Sequence, residues 1–323
     1  MNYIRRLKES SNNMKRTFFY LLMMSLLTVS LVSCNDDDDY NADTAVTPYE
    51  PAPGRRMVAQ VKTTNTIDGR DYSWEHNFEY DAQGRIKQIN SNIVHHRAIQ
   101  FDNTVRYYKC YITSQANYYF NDKKFRVEYS LSREYPDYPS WNTTEHGKDH
   151  GIFNSNGTLA EIPSIDLEYS ATQLQRAYCD GGYIIAPARD ASGNVTGYTK
   201  YLAMDADSDS VIMDRKNDVR YSSVRNRTNF DFSGYFGYWG VEQATYANRT
   251  EYYASYQLAA FGMLGATSPR LPLAIVERDS KGNVVMEEGL PKYLYGKWEY
   301  DSQECPVAFT DGNGRRTEIK YVE

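Results

Sequence analysis

The fold of this chain is decided by the stretch Trp74-Glu-His-Asn-Phe-Glu-Tyr-Asp-Ala-Gln-Gly-Arg-Ile-Lys-Gln-Ile89. In its first half, Trp74, Phe78 and Tyr80 alternate with polar residues, which is the period-2 pattern of a strand with one buried face. Asp81 and Gly84 then form a tight turn, because Asp bonds its own backbone and Gly accepts a positive φ. Apolar residues resume after the turn. The stretch therefore predicts an antiparallel hairpin.

The same signature recurs along the chain at irregular intervals. Residues 152–162 repeat the aromatic residue, the turn and the returning apolar residues, and residues 276–285 keep the turn. Residues 298–307 keep the aromatic start, but Cys305 departs from the Gly expected in that last hairpin. Irregular spacing argues against a solenoid or a propeller. Reversal turns are predicted at residues 68–69, 81–84, 154–157, 279–282 and 311–314.

Further patterns extend this hairpin to a whole domain. The 30 tyrosines suit a half-buried pleated surface. Residues 242–264 instead have apolar residues at helical spacing, which predicts one helix against the apolar face of the sheet. We therefore expect a mainly β domain over residues 56–323. Its predicted architecture is a many-stranded antiparallel meander sheet curled toward a barrel, with one helix packed on or in it.

The N-terminus has the features of an export signal. Lys15 and Arg16 precede an apolar run that is short for a membrane helix, which needs about 20 residues. The run ends in Leu31-Val32-Ser33-Cys34, which resembles a bacterial lipobox. In a lipobox, cleavage before the cysteine leaves a lipid-modified N-terminus. We expect residues 1–33 to be a lipoprotein signal peptide and Cys34 to be the lipidated residue.

An acidic run follows the cysteine directly and has two interpretations. It consists of Asp36, Asp37, Asp38 and Asp39. Together with the prolines that follow, it makes residues 34–55 a typical solvated tether. A cysteine followed by several acidic residues also resembles the surface-export signal of Bacteroidetes lipoproteins. The run therefore predicts an outer-membrane protein that is exposed at the cell surface, and a tether facing the periplasm is the alternative.

Charge and cysteine content limit the classes of partner. Residues 1–33 hold five basic residues and one acidic residue, so the remainder has 31 basic and 41 acidic residues and a net charge of −10. This balance argues against nucleic acid and against an anionic membrane surface as partners. Cys110, Cys179 and Cys305 allow at most one internal disulfide and match no zinc pattern, so buried thiols are expected.

Four motifs occur in a fixed order along the chain. They are the lipobox with its acidic run, the Tyr-Asp hairpins, residues 258–265 before Leu271-Pro272, and Glu299-Tyr-Asp301 followed by residues 317–321. Their order resembles an uncharacterised family of Bacteroidetes lipoproteins with a porin-like β fold. The resemblance covers residues 57–323 and implies a sheet curled toward a barrel. It implies no activity and no catalytic residues. Alternating strands also fit a membrane-spanning barrel, although a lipid anchor would then be redundant.

Signals for catalysis or metal binding are weak. Glu145, His146, Asp149 and His150 could supply zinc ligands, but a polar loop is the simpler interpretation. Residues 205–209 begin like a calcium loop but lack its later ligands, so a solvated turn is expected there. The sequence contains no nucleophile elbow, P-loop or dinucleotide fingerprint. We therefore expect a protein that is not an enzyme and has no cofactor and no metal.

The excess of aromatic residues provides the functional hypothesis. Aromatic rings stack sugars or line apolar cavities, and stacking requires no charge on the ligand. The candidate ligand-binding residues are Trp74, Trp141, Tyr235, Trp239 and Trp298. They predict a non-catalytic binding lipoprotein for a neutral glycan or an apolar ligand. The alternatives are that these rings fill the core, and that the protein is an assembly component that pairs through exposed sheet edges.

Overall fold

The computed structural model describes residues 55–101, 104–121, 124–154, 158–162, 165–170, 173–179, 183–203, 211–238, 260–263, 267–287, 290–291 and 293–323. These residues form mainly antiparallel β-structure, as the sequence predicted. The strands are β1 (Val58–Ile67), β2 (Arg70–Tyr80), β3 (Ile86–Phe101), β4 (Thr104–Phe120), β5 (Lys124–Glu134), β6 (Thr143–Phe153), β7 (Leu159–Ile162), β8 (Ile165–Ser170), β9 (Gln173–Cys179), β10 (Tyr183–Arg189), β11 (Val195–Ala203), β12 (Val211–Arg225), β13 (Arg270–Asp279), β14 (Met286–Glu287), β15 (Leu290–Pro291), β16 (Tyr293–Tyr300), β17 (Pro306–Asp311) and β18 (Arg316–Tyr321).

The sheet closes on itself. Within the described residues, 16 strands form one closed barrel, while β14 and β15 form a separate two-stranded sheet. Each barrel strand pairs with the strands next to it in the chain. β1 completes the ring, because Val61 lies opposite both His76 of β2 and Ile319 of β18. The predicted meander sheet is confirmed, and its curl continues to full closure.

Side chains alternate between the two faces of the barrel wall. On β5, Phe125, Val127 and Leu131 are buried, whereas Arg126 and Glu128 lie on the other face. Buried residues from strands all round the ring belong to one hydrophobic cluster. The apolar face of the sheet therefore points into the barrel.

On strands β1 to β4, the outer face of the barrel carries amide side chains. Amide side chains bond from strand to strand, as in the Gln60–Asn77 bond of 2.7 Å. The Gln88–Asn117 bond of 2.6 Å is a second example. Separately, among the residues described, no helix is long and apolar enough to cross a membrane.

Five hairpin loops share one hydrogen-bonding pattern. In each, the N–H of an aspartate donates to the carbonyl four residues later, and the aspartate Oδ1 accepts the N–H groups two and four residues later. The aspartates are Asp81, Asp190, Asp279, Asp301 and Asp311. The turns predicted at 68–69, 81–84, 279–282 and 311–314 are confirmed. Residues 155–157 of the turn predicted at 154–157 lie outside the described residues, and the loop at Asp190 was not predicted.

The loop at Asp301 corrects the expectation for the last hairpin. Glu304, rather than Cys305, occupies the position that the other loops give to glycine, with a φ of 59°. A non-glycine residue there costs about 1–2 kcal/mol. The loop keeps its shape because the Asp301 carboxylate still accepts the N–H groups of Gln303 and Cys305. Cys305 is a buried thiol, as is Cys110, and the side chain of Cys179 lies outside the described part.

The long connection between β12 and β13 fills one end of the barrel. We call its described residues 226–238 and 260–263 the plug. The ring centroid of Phe230 lies 5.6 Å from that of Phe78 on β2, and the ring centroid of Phe232 lies 5.1 Å from that of Trp298 on β16. The carbonyl of Met263 accepts the N–H of Leu159 on β7. Because β2, β7 and β16 are far apart around the ring, the plug crosses the interior.

The predicted helix can be compared with the structure only near its C-terminal end. Residues 242–264 lie mostly outside the described part, which includes only residues 260–263, where Ala260, Phe261 and Met263 are buried. A short helical turn over Gly234–Tyr238 also lies within the plug. Helical structure does therefore lie in the barrel, at residues whose sequence has no helical periodicity.

Both ends of the barrel chain meet at the plug. The N–H of Val58 donates to Asn229 Oδ1 over 3.0 Å, and Arg56 pairs in parallel with Thr228. The Arg55 guanidinium donates to the carbonyl of Thr228 over 3.3 Å. At the other terminus, the N–H of Val322 donates to the carbonyl of Met57. The segment that leads to the predicted tether therefore leaves from the plugged end.

Candidate functional site

A buried carboxylate holds the plug in shape. Asp231 is almost completely buried, and its Oδ1 accepts the backbone N–H groups of Ser233 and Gly234 over 2.9 and 3.1 Å. The same oxygen accepts the Ser233 hydroxyl over 2.5 Å. Its Oδ2 accepts the N–H of Ser268 over 2.8 Å. The carboxylate is fully used in these structural bonds.

Hydroxyl groups connect this carboxylate to the barrel wall. Ser268 Oγ lies 2.7 Å from Ser233 Oγ and 3.0 Å from the hydroxyl of Tyr221 on β12. The Tyr221 hydroxyl donates to the carbonyl of Val195 on β11 over 2.7 Å. Burial raises the pKa of Tyr221, and the nearby Asp231 charge adds to the effect. Tyr221 therefore stays a neutral hydrogen-bond donor.

Polar residues also face the interior above the apolar core. His76 on β2 is buried, and its Nδ1 lies 2.8 Å from Ser91 Oγ on β3. Burial lowers the pKa of His76 to about 4. The imidazole is neutral at physiological pH and acts in a fixed hydrogen bond.

An ion-pair network lies across β11, β12 and β13. Lys200 Nζ is 3.3 Å from Asp214, and Arg215 donates to Glu277 over 2.7 Å. The side chains of Lys200 and Glu277 are 4% and 3% exposed. Because two cations face two anions, the network balances its own charge. Its pairs connect three neighbouring strands and suit a structural role.

Aromatic side chains form a second, separate cluster at the end of the barrel away from the plug. We call Tyr108, Tyr135, Tyr138 and Trp141 the rim cluster. Tyr138 and Trp141 stack with ring centroids 4.6 Å apart and planes 16° apart. The ring of Tyr108 meets them edge-on at 4.8 and 5.3 Å. Tyr138 keeps 37% of its surface exposed, so the stack presents aromatic surface to solvent.

The loop between β5 and β6 positions this cluster. The N–H of Tyr135 donates to Asn142 Oδ1 over 2.8 Å, which ties the two ends of the loop together. Within it, the N–H of Trp141 donates to the carbonyl of Tyr138 over 2.9 Å. Prolines restrict the backbone between the rings. Two hydrogen bonds and two prolines therefore fix the loop conformation that carries Tyr138 and Trp141.

The structure divides the predicted ligand-binding residues between the two ends. Trp141 lies in the rim cluster. Trp74, half-buried on β2, stacks on Tyr72 at 6.1 Å, and Tyr72 meets His95 on β3. In contrast, Tyr235 is buried in the plug. Trp298 packs against Phe232 of the plug, and its Nε1 donates to the carbonyl of Pro272 over 2.7 Å. Trp239 lies outside the described residues.

Sequence reasoning missed Tyr108, Tyr135 and Tyr138. The signal was present, because Tyr135-Pro-Asp-Tyr-Pro-Ser-Trp141 interleaves aromatic residues with prolines. Proline is excluded from the interior of a sheet, so this segment had to be a loop. Aromatic residues in a proline-containing loop are exposed more often than those in an alternating strand. Tyr108, on an ordinary strand, carries no such signal.

The weak metal candidates lie on β6 rather than in the expected polar loop. Glu145 and Asp149 occupy one face of the strand, whereas His146 and His150 are exposed on the other. Successive residues of a strand point to opposite faces, so the carboxylates and imidazoles are kept apart. Among the residues described, no group of three or more potential ligands could hold a metal ion. The calcium-like residues 205–209 lie outside the described part.

Fold and site together define a closed antiparallel β-barrel that is plugged at one end and carries an aromatic cluster at the other. No protein-family model and no curated protein matches the chain. Among solved structures, the chain is similar to a porin-like protein from Bacteroides uniformis, with a TM-score of 0.41 and 10% identity. The match covers 84% of this chain and 100% of that protein. So remote a likeness carries no argument about function.

Proposed function

We propose that this chain is a lipid-anchored, surface-exposed outer-membrane protein that binds a glycan at the rim cluster and catalyses no reaction. The observation that carries the proposal is the stacked pair Tyr138 and Trp141, which is partly exposed at the end of the barrel away from the plug. We further propose membership of the Bacteroidetes lipoprotein family that the motif order resembles.

A glycan fits the rim cluster better than a wholly apolar ligand does. The flat C–H face of a sugar ring stacks on an exposed aromatic face, and tyrosine hydroxyls supply hydrogen bonds at its edge. An apolar ligand needs a dry cavity. At the plugged end, the interior is occupied by Phe230, Phe232 and Phe261, which are buried together. The exposed aromatic surface at the rim therefore favours a sugar over an apolar molecule as the ligand.

The position of the predicted lipid anchor also favours the rim cluster as the binding site. The chain enters the barrel beside the plug, where Val58 and Arg56 contact residues of the plug. A lipid at Cys34, joined through a tether over residues 34–55, would hold the plugged end toward the membrane. The rim cluster would then face outward. The acidic residues Asp36 to Asp39 support exposure at the cell surface.

The assembly alternative receives less support. Pairing with another protein through a sheet edge requires an edge strand with unpaired backbone groups. Within the described residues, β1 pairs with both β2 and β18, so the ring has no terminal strand to offer. Glycan binding therefore remains the stronger proposal.

Replacing Tyr138 or Trp141 by alanine is expected to weaken binding of the hexasaccharides that the wild type binds by about thirtyfold, because truncating a central aromatic anchor costs on the order of 2 kcal/mol. Affinities are measured by calorimetry with cello-, xylo-, manno- and galacturonohexaose. Tyr300→Ala is the matched control, since Tyr300 is similarly exposed, at 38%, at the plugged end. The proposal would be contradicted if the wild type bound none of the hexasaccharides, or if Tyr300→Ala lost as much affinity as the rim variants.

Anchoring is tested at Cys34. Cys34→Ala should abolish partitioning of the protein into the detergent phase, because no residue would remain to receive the lipid. The control replaces Asp36, Asp37, Asp38 and Asp39 by alanine together. That variant should still partition into detergent but become resistant to protease added to intact cells. Wild-type partitioning of Cys34→Ala would mean that the anchor lies elsewhere.

A further inference from the structure

Three arginines surround the rim cluster. Arg97 on β3 lies opposite Tyr108, and its guanidinium contacts the Tyr135 hydroxyl at 3.4 Å. Arg106 on β4 is exposed at the same end. Arg133 on β5 completes the group and is paired with Glu145 over 2.7 Å. The rim cluster is thus bordered by positive charge on three neighbouring strands.

The arginine charges reach the rings themselves. A hydrogen bond from Tyr108 raises the pKa of Tyr138, while the nearby Arg106 charge opposes that rise. Burial raises the pKa of the Cys110 thiol, which packs with Tyr108 and Tyr135, and the charges of Arg133 and Arg97 oppose that rise. The closest approach of a guanidinium to the cluster is the contact of 3.4 Å between Arg97 and the Tyr135 hydroxyl.

The neighbouring carboxylates do not cancel this charge. Asp137 lies in the loop between β5 and β6, and its negative charge opposes the positive charge of Arg106 near Tyr138. Glu134 is exposed beside Tyr111, on the outer face of the wall. Glu145 is engaged with Arg133. Among these described residues, the three arginines therefore lie with two carboxylates, those of Asp137 and Glu145, while Asp68 of the neighbouring β1–β2 hairpin is paired with Arg70.

The length of the barrel explains why charges close to the rim, rather than the net charge of the protein, act on a ligand at the rim. β4 has 17 residues and so extends roughly 55 Å at about 3.3 Å per residue. At physiological salt, charges are screened over about 8 Å. Acidic residues at the plugged end, such as Glu299 and Asp301, are many screening lengths from the rim. A ligand at the rim responds to the arginines and hardly at all to the net charge.

We infer that the glycan bound at the rim cluster carries carboxylate groups, which the guanidinium groups of Arg97 and Arg106 receive. The inference rests on the proposed function and names its ligand class: an acidic glycan built of uronic-acid units. The planar guanidinium matches a carboxylate with two parallel hydrogen bonds. The stacked pair Tyr138 and Trp141 would hold the sugar ring, while the arginines select its charge. This replaces the neutral ligand expected from net charge alone.

The test compares two forms of one ligand, galacturonohexaose and its fully methyl-esterified form, in which methyl groups replace the carboxylate charges. The full-length protein in neutral detergent should bind the acid about tenfold more tightly than the ester at low salt, and the difference should shrink at high salt. The double variant Arg97→Gln/Arg106→Gln should bind both forms with the affinity of the wild type for the ester. Arg126→Gln, on the outer face of β5, is the control and should behave as wild type.

The possible results separate the two proposals. Equal binding of acid and ester by the wild type overturns the acidic-ligand inference and leaves the glycan proposal standing. A preference for the acid that survives in Arg97→Gln/Arg106→Gln also overturns the inference, because the charge would be recognised elsewhere. If neither form binds and the neutral hexasaccharides also fail, both proposals fall together.

Discussion

Replacing Asp231 by alanine is expected to lower the free energy of unfolding by on the order of 4 kcal/mol, because each buried donor left without an acceptor costs about 1–3 kcal/mol. The carboxylate accepts the N–H groups of Ser233, Gly234 and Ser268 and the Ser233 hydroxyl. Water entering the vacated space would recover part of the loss. Urea unfolding followed by tyrosine and tryptophan fluorescence measures the difference.

The matched control is Asp190→Ala. Asp190 accepts two backbone N–H groups and one amide N–H in an exposed hairpin loop. Because water can replace its oxygens there, the loss should be only about 1 kcal/mol. If Asp231→Ala costs no more than Asp190→Ala, the plug is not held by this carboxylate, and its packing against the barrel wall must suffice.

His76 is expected to make the protein less stable as the pH falls from about 6.5 to about 4. Burial lowers the pKa of His76 to about 4, and the nearby Glu75 charge opposes that shift. Between the two pH values, the unfolded chain binds a proton that the folded protein excludes. The stabilisation is therefore complete above pH 6.5 and lost on acidification. The total loss is about 3 kcal/mol, since one pKa unit corresponds to about 1.4 kcal/mol.

The measurement is the free energy of unfolding as a function of pH in three proteins. His76→Gln should remove this part of the pH dependence, so the difference between wild type and variant should change by about 3 kcal/mol between pH 7 and pH 4. Titration of carboxylates is common to both and cancels. His146→Gln, at an exposed position of β6, should parallel the wild type. If the free energy of unfolding of His76→Gln also followed the wild-type pH dependence, His76 would have to be protonated in the folded barrel.

The local elements were predictable because their causes are local. Phe125, Val127 and Leu131 alternate with polar residues whatever the rest of the chain does, and a half-buried strand is the structure that separates them. At Asp81, the aspartate oxygens and the left-handed glycine specify the loop within five residues. The same reasoning failed at Glu304, where the aspartate bonds alone are enough to hold a non-glycine residue at positive φ.

The candidate site was only partly predictable. Trp141 was chosen for its aromatic ring, and it does lie in the rim cluster, but Tyr235 and Trp298 were chosen for the same reason and are buried at the other end. An aromatic residue satisfies a core position and a surface platform equally well. The difference depends on whether another part of the chain covers the ring, and this is a non-local property. Arg97 and Arg106 acquired significance only through the rings that they adjoin.

By itself, the sequence determined the antiparallel hairpins and the class of fold, because strand periodicity and turn chemistry act over a few residues; the export signal remains a prediction. Only the tertiary structure decided that the sheet closes, since closure depends on the register summed around all 16 strands of the described ring. Closure in turn assigns the apolar face to the interior. It also leaves residues 226–238 to fill one end, whereas Tyr108, Tyr138 and Trp141 meet at the other end through the consecutive strands β4, β5 and β6 and the loop that joins the last two.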